Sequence, residues 1–346
     1  MMHTRRPNAA RRESRGVIAL AGTVRALRRR ILTPGMGQAS FATRGFTEKT
    51  PAARERFETI GRMFLTGYGL AVEARRPAEA ERGLERIEPF YRGFAYEGAS
   101  MGFAVLDGLP GGGRGRVEEF LRGRAAAHVY MVNVGVGWGL ARLPRLRWSG
   151  FGGSDRLLRW LVLDGYGFHQ AYFRTRRYVN ECRRDVGFPW PADGPRWYAE
   201  RVVDQGVGRA LWFVGGGDPR LVAKLIDAFA ESRRSDLYAG VGLAATYAGA
   251  ADEAELHELR EVAAPYRGHL AQGSAFAATA RVEAGLADAH TELAASLLCG
   301  LSAQDAAALC RRVRPQPPFD EGETPDYELW RRAIAVELDP AGRCDP

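Results

Sequence analysis

Glycine pairs buried inside apolar, helix-length segments constrain this chain more than anything else in it. Gly67-Tyr68-Gly69, Gly135-Val136-Gly137, Gly165-Tyr166-Gly167, Gly206-Val207-Gly208 and Gly240-Val241-Gly242 all follow that pattern. With Gly98 and Gly273 they form the series 67, 98, 135, 165, 206, 240, 273, whose spacings of 31, 37, 30, 41, 34 and 33 average close to 34. That is the length of one helix–turn–helix unit in tetratricopeptide-type arrays. A helix-interior glycine costs on the order of 1 kcal/mol relative to alanine. Repeating it implies a compensation, and close backbone approach between stacked helices is the natural one. A phosphate loop would instead need a preceding strand and the full G-x-G-x-x-G pattern, and no segment supplies both. The expected fold is therefore all-α, an array of helical hairpins in a tetratricopeptide-like αα superhelix.

The array carries signs of internal duplication. Gly67-Tyr68-Gly69-Leu70-Ala71 recurs as Gly240-Val241-Gly242-Leu243-Ala244, an offset of 173. The Tyr-Arg-Gly tripeptide before Gly98 recurs before Gly273, an offset of 175. Duplicated halves are expected at about 57–150 and 230–313 within a repeat domain spanning 31–313. Asp218-Pro219 reads as an N-cap and N1 proline opening a partner helix over Arg220 to Glu231, with Leu221, Leu225, Ile226 and Phe229 at helical spacing. Glu253 to Ala264 and Ser302 to Val313 read alike, whereas Leu143 to Ser154 and Gly187 to Pro195 read as Pro/Gly-rich loops. Residues 314–325 form a linker, and residues 326–346 a short capping helix and tail.

Charge excludes one class of partner. The formal net charge is +8, but residues 1–30 hold nine arginines against the single acid Glu13, so the remaining chain is neutral. A basic, disordered arm precedes a body with no basic face, and a nucleic-acid partner is not expected. Arg5-Arg6 lacks the apolar run an export signal needs. This arm also reads as a misplaced start codon. The longest apolar stretch, between Arg124 and Arg142, is broken by His128 and Asn133 and is short for a membrane span. Cys182, Cys299, Cys310 and Cys344 show no metal-binding spacing and fit reduced thiols of a soluble, cytoplasmic protein. No cofactor or metal is implied.

Candidate functional residues cluster around the glycines. Glu97, Asp164 and Gln205 each directly precede the first glycine of their repeat. In a stacked array such positions form a row. Beside Tyr96, Trp138, Tyr166 and Phe168 that row would make an amphipathic groove for a long apolar ligand. The alternative is that these polar groups merely cap or bridge neighbouring helices. Asp164 and His169 are five apart, roughly 140° around a helix, so they do not form a dyad by themselves. A carboxylate from a neighbouring repeat, Glu97 or Asp204, could meet His169. Asp164, His169, Glu97 and Tyr166 are thus the candidate catalytic set. Tyr96, Asn133, Trp138, Phe168, Asp204 and Gln205 are the candidate groove. His257-Glu258 lacks the second histidine of a zinc protease motif.

Three longer strings resemble a known family. RGFAYEGASMG (92–102), VGVGWGLARLP (134–144) and RWLVLDGYGFHQAYF (159–173) are similar to a family encoded in the enediyne warhead cassette, beside the iterative enediyne polyketide synthase. Ile31-Leu32-Thr33-Pro34 and Phe41-Ala42-Thr43-Arg44-Gly45-Phe46 resemble its usual opening. The resemblance implies a part in converting a polyketide-derived linear polyene into the enediyne core, and it brings no agreed active site with it. Three roles follow as expectations: an accessory protein that binds the apolar polyene intermediate, an enzyme acting on it without a cofactor or with a partner, or a scaffold that docks the polyketide synthase or other cassette proteins.

Overall fold

The computed structural model describes residues 25–339, apart from 111, 112, 114, 152–154 and 192. Among them every regular element is helical and no strand occurs. The helices are α1 (Pro51–Glu73), α2 (Pro77–Leu84), α3 (Pro89–Gly108), α4 (Arg116–Leu121), α5 (Val129–Leu140), α6 (Leu161–Phe173), α7 (Arg196–Val214), α8 (Pro219–Asp227), α9 (Glu231–Ala248), α10 (Glu253–Val262), α11 (Arg267–Glu283), α12 (Ala289–Cys299), α13 (Ala303–Arg312) and α14 (Asp326–Leu338). Their starts are written locally. Thr50, Asp218, Asp252, Asp288 and Ser302 each cap the first turn with a side-chain oxygen, and Pro51 and Pro219 sit in the opening turn. Gly300, left-handed at φ 70°, ends α12.

The seven glycine-bearing helices α1, α3, α5, α6, α7, α9 and α11 pack consecutively, with the shorter α2, α8 and α12 against them and α10 bridging α8 and α12. A reciprocal rule governs their seams. A Cβ on Gly67 would overlap the carbonyl oxygen of Ala95, and one on Gly98 would overlap that of Phe64. Each glycine thus faces the carbonyl three residues before its partner. The same exchange joins Gly137 with Gly165, Gly167 with Gly206, Gly208 with Gly240, and Gly242 with Gly273. At the α3–α5 seam Gly135 has Ser100 for a partner, whose hydroxyl donates to the Val132 carbonyl at 2.7 Å. Backbones brought this close gain dispersion and Cα–H···O contacts, which offset the helical cost of glycine.

The rule shifts one equivalence by two residues. Gly67 faces the following helix, as Gly242 does, while Gly240 faces the preceding one. The counterpart of Gly67 in space is therefore Gly242, and one offset of 175 relates both Gly67 to Gly242 and Gly98 to Gly273.

The expected open groove is absent from the described residues because the superhelix curls onto itself. Phe57 of α1 packs at a tilt against Phe213 of α7 with ring centroids 4.5 Å apart. Arg281 of α11 donates to the Phe90 carbonyl at 2.9 Å, and Phe94 meets Tyr247 of α9. Early and late helices thereby cover each other's concave faces, and the row of polar side chains becomes interior. The C-terminal helix also departs from a simple cap. Tyr327, Trp330 and Arg331 of α14 are buried, and Arg331 reaches Asp236 of α9 and Gln272 of α11. The linker before it is tied down, with Arg314 on Asp155 and Asp320 on Arg159.

Most of the expected basic arm lies outside the described residues. Its last part does not fit the expectation: residues 25–32 are helical, and Arg28 donates to the Val72 and Ala74 carbonyls at the end of α1. The segment between Arg124 and Arg142 is not one helix either; a 3-10 stretch, Arg124–His128, precedes α5. Leu143 to Ser154, expected as a loop, contains the 3-10 turn Arg145–Gly150. No single helix among the described residues is long and apolar enough to cross a membrane. Cys182, Cys299 and Cys310 are free thiols, and Cys344 lies outside the described residues.

Candidate functional site

Close contact along the seams has a consequence for large side chains. Where α5 and α6 touch at Gly137 and Gly165, neighbouring rings cannot lie between the backbones and are displaced to the seam's margin. Trp138 and Phe168 emerge there together, ring centroids 5.0 Å apart. Phe64 from α1 meets Trp138 at 4.6 Å, and Phe213 from α7 meets Phe168 at 5.3 Å. With Phe94 and Tyr172 these rings line a small pocket whose cavity volume is about 50 Å³. That lining suits an apolar group. Pro34 and Gln38, from the segment ahead of α1, and the exposed Arg142 help frame it.

One acidic side chain reaches this pocket. Glu97 of α3 lines it while remaining 1% exposed. Its Oε1 has no hydrogen-bond partner in the protein, and neither does Nε1 of Trp138 on the same wall. Behind Glu97 lies Arg209 of α7, with Nη2 3.9 Å from Oε1. Arg209 is committed elsewhere: its Nη1 donates to Asp164, which also accepts from Gln205 Nε2 at 3.0 Å. Two carboxyl groups therefore share one guanidinium in a buried space. Burial pushes the Glu97 carboxyl up to about 7, with Arg209 opposing the rise, Asp164 adding to it and the neighbouring indole N–H of Trp138 opposing it more weakly. Burial raises Asp164 too, against the pull of Arg209 and Gln205. Asp164 holds the hydrogen bonds, so Glu97 is the group that keeps a proton near neutrality.

The other expected residues separate into those near this site and those remote from it. His169 borders the pocket wall, edge-on to Trp138 at 5.5 Å and against Phe173 at 4.7 Å. Its Nδ1 is buried without a partner, and no described hydrogen bond joins it to Glu97 or Asp204. Burial first, then Arg142 and Arg174, push its imidazole down to about 3, so the ring is neutral. Asp204 instead carries a two-point pair with Arg233 at 2.6 and 3.0 Å, joined by Arg184 at 3.3 Å.

Tyr166 points away from the pocket and donates to Asp185 at 3.2 Å, packed on Trp148 and Phe188. Tyr96 faces the outer layer, donating to Glu85 at 2.6 Å and stacking on His128 at 3.9 Å. Asn133 returns its amide to the Val129 carbonyl of its own helix. The structure thus assembles Glu97, Trp138 and Phe168 at the pocket, Asp164 and Gln205 behind it, and His169 beside it. Tyr166, Tyr96, Asn133 and Asp204 serve other contacts. Glu97, Asp164 and Gln205 do come together around Arg209, but Tyr96 and Tyr166 do not join them, because adjacent helix positions turn by about 100°.

Sequence reasoning missed Arg209, which unites Glu97 and Asp164, and the rings Phe64, Phe94, Tyr172 and Phe213. An arginine directly after Gly208, inside the apolar run of α7, was the available signal for the first. The rings carried none, because each belongs to a helix remote in sequence. The surroundings are basic: Arg44 lies over the Phe173 ring at 5.0 Å, Arg142 borders the pocket, and Arg174 lies with Arg44 in the adjoining surface depression. Among the described residues no three His, Cys, Asp or Glu side chains are grouped so as to hold a metal ion.

Neither the curated proteins nor the solved structures gave a match to the chain. One family model does match, over residues 23–338, which takes in every helix from the segment ahead of α1 to α14. The chain belongs to the family described as Protein of unknown function (DUF1702).

Proposed function

We propose that this chain is a cytoplasmic accessory protein of enediyne natural-product biosynthesis, which binds a polyketide-derived linear polyene during formation of the enediyne core. Two things support the reading: the resemblance of the segments 92–102, 134–144 and 159–173 to the cassette family, and the aromatic pocket. The pocket carries the argument. Its wall is built from rings of α1, α3, α5, α6 and α7, with one carboxyl at the floor. A conjugated polyene is flat, apolar and reactive. Flat rings supply a large, polarisable contact surface and keep water away from it. Binding is favoured over catalysis because Asp164, His169, Glu97 and Tyr166 do not meet: Tyr166 is engaged with Asp185 and His169 has no proton-transfer partner.

The test is direct titration of the purified protein with a linear all-trans polyene, followed by quenching of tryptophan fluorescence. Saturable quenching that Trp138→Phe largely removes is the expected result. Absence of saturable binding would discard the reading. In a producing strain, deletion of the gene should leave a polyene unconverted. A second reading, a scaffold for the polyketide synthase or another cassette protein, draws on the rim: Arg142 and Arg174 could meet an acidic partner there.

A further inference from the structure

We propose that the pocket takes only the apolar tip of its ligand, and that the ligand's other end carries an anionic group, a carboxylate or a phosphate, seated among arginines in the adjoining depression. The proposal rests on the binding function above and adds the chemistry of the ligand's polar end. Size gives the first argument. An enclosed cavity of about 150 Å³ is filled by one benzene molecule. The aromatic pocket holds about 50 Å³, so most of a bound polyene must lie outside it. Tyr172 and Phe173, which end α6, line this pocket and also an open depression of about 540 Å³. A chain leaving the pocket past these two rings enters that depression.

Charge gives the second argument. Arg44, from the segment ahead of α1, lines the depression together with Arg174, Arg176 and Arg177 from the turn that follows α6. Glu181 is the one acid on its wall among the described residues, and it accepts from Arg176 at 3.0 Å. Three cations remain beyond that pair. Arg44 is held in place: its Nη2 donates to Gln38 at 2.6 Å, and its guanidinium lies over Phe173, a ring that both spaces share. Polarity therefore runs one way along the path. The inner end has rings and the buried carboxyl of Glu97, while Arg142, Arg174, Arg176 and Arg177 are exposed at the outer end. An anion is favoured only outside. Guanidinium groups match the paired oxygens of carboxylate and phosphate alike, and in an exposed basin the attraction is screened by salt.

The full chain tests this with trans-parinaric acid, a linear conjugated tetraene carboxylate, and its methyl ester, each followed by tetraene fluorescence. The acid is expected to bind about tenfold tighter than the ester at low salt, and within about twofold of it near 0.5 M salt. Arg174→Gln with Arg177→Gln should bring the acid's low-salt advantage to within about twofold. Arg260→Gln with Arg311→Gln, on α10 and α13 and outside the depression's wall, removes the same net charge and should keep the advantage. Competition by dodecanoate, dodecyl phosphate and dodecanol separates the two anions. Both anions should displace the acid better than the alcohol, and the stronger of them identifies the end group. Equal affinity of acid and ester overturns the proposal while leaving polyene binding intact, as does an advantage that the Arg174 and Arg177 changes leave untouched. Failure of both acid and ester to bind overturns the underlying function instead.

Discussion

Helix α7 sends an arginine into each of two buried charge clusters, and the clusters differ in their arithmetic. Arg201 joins Arg331 of α14 against Asp236 and Glu328, with contacts of 2.8 to 3.3 Å. With the partly exposed Arg332 on Glu328 at 2.8 Å, three cations meet two carboxylates, and Gln272 and Tyr198 complete the shell around Arg331. Burial pushes Asp236 up, but Arg331 and Arg201 more than offset it, so its carboxyl lies below the usual range. Eight residues along the helix, Arg209 faces two carboxyls alone. One cluster is closed, each of its carboxylates met by two or more arginines, a lock that fastens the C-terminal helix to α7, α9 and α11. The other is one positive charge short and opens onto an aromatic pocket. Full pairing marks structure here, and a shortfall of cations marks the place where a ligand meets the protein.

The largest expected effect lies at the lock. Arg331→Ala leaves the fully buried Asp236 with Arg201 alone, which Glu328 also shares, and should cost about 3–5 kcal/mol of unfolding free energy, read by urea titration. A loss below about 1 kcal/mol would remove the distinction between the clusters.

Next comes the opposite sign at the pocket. Glu97 is raised in the folded chain to about 7 from 4.5. The unfolded chain releases its proton across that window while the folded chain retains it, so this group's contribution falls as pH rises through it. Glu97→Gln should therefore gain about 3 kcal/mol relative to wild type near pH 8 and nothing near pH 4. A pH-independent difference would show that the imbalance has been misread.

The seams beneath the two clusters should be alike. Gly98→Ala, beside Glu97, and Gly273→Ala, beside Gln272, both force a methyl into a facing carbonyl. Each should lose about 1–3 kcal/mol, and a marked asymmetry in melting temperature would place the difference in the backbone and not in the charges. His169 sharpens the contrast on the acid side. Its folded value of about 3 lies below the usual 6.5, so its contribution is present above 6.5 and lost as pH falls. Near pH 5 the loss should be about 2 kcal/mol, absent in His169→Gln. Smallest is Asn133→Ala, within roughly 0.5 kcal/mol, because its amide only returns to its own helix.

How much of this was legible depended on the range of the interaction. Caps at Asp218, Asp252 and Ser302, and the helices they open, follow from neighbours within four residues. The role of the glycines was legible because their recurrence left close packing as the one compensation for their helical cost. Their register was not: Gly67-Tyr68-Gly69 matches Gly240-Val241-Gly242 as text, but a glycine's partner is a carbonyl on another helix, and that places Gly67 with Gly242. Glu97 and Asp164 stood out as polar groups beside the glycines. Tyr96 and Tyr166 were grouped with them wrongly, since successive helical positions turn by about 100° and face different layers.

The sequence by itself determined an all-helical chain, its repeat length, and the use of glycine to bring helices together, because those properties are set by local periodicity and the missing Cβ. It could not determine whether the superhelix stays open. That outcome depends on Phe57 meeting Phe213, Arg281 meeting Phe90, and Arg209 standing between Glu97 and Asp164. Each contact joins residues far apart in the chain, and only the curl of the whole array brings them within reach. The charge imbalance that gives Glu97 its proton is likewise a property of the assembled interior, since it arises from which arginine arrives there and which does not.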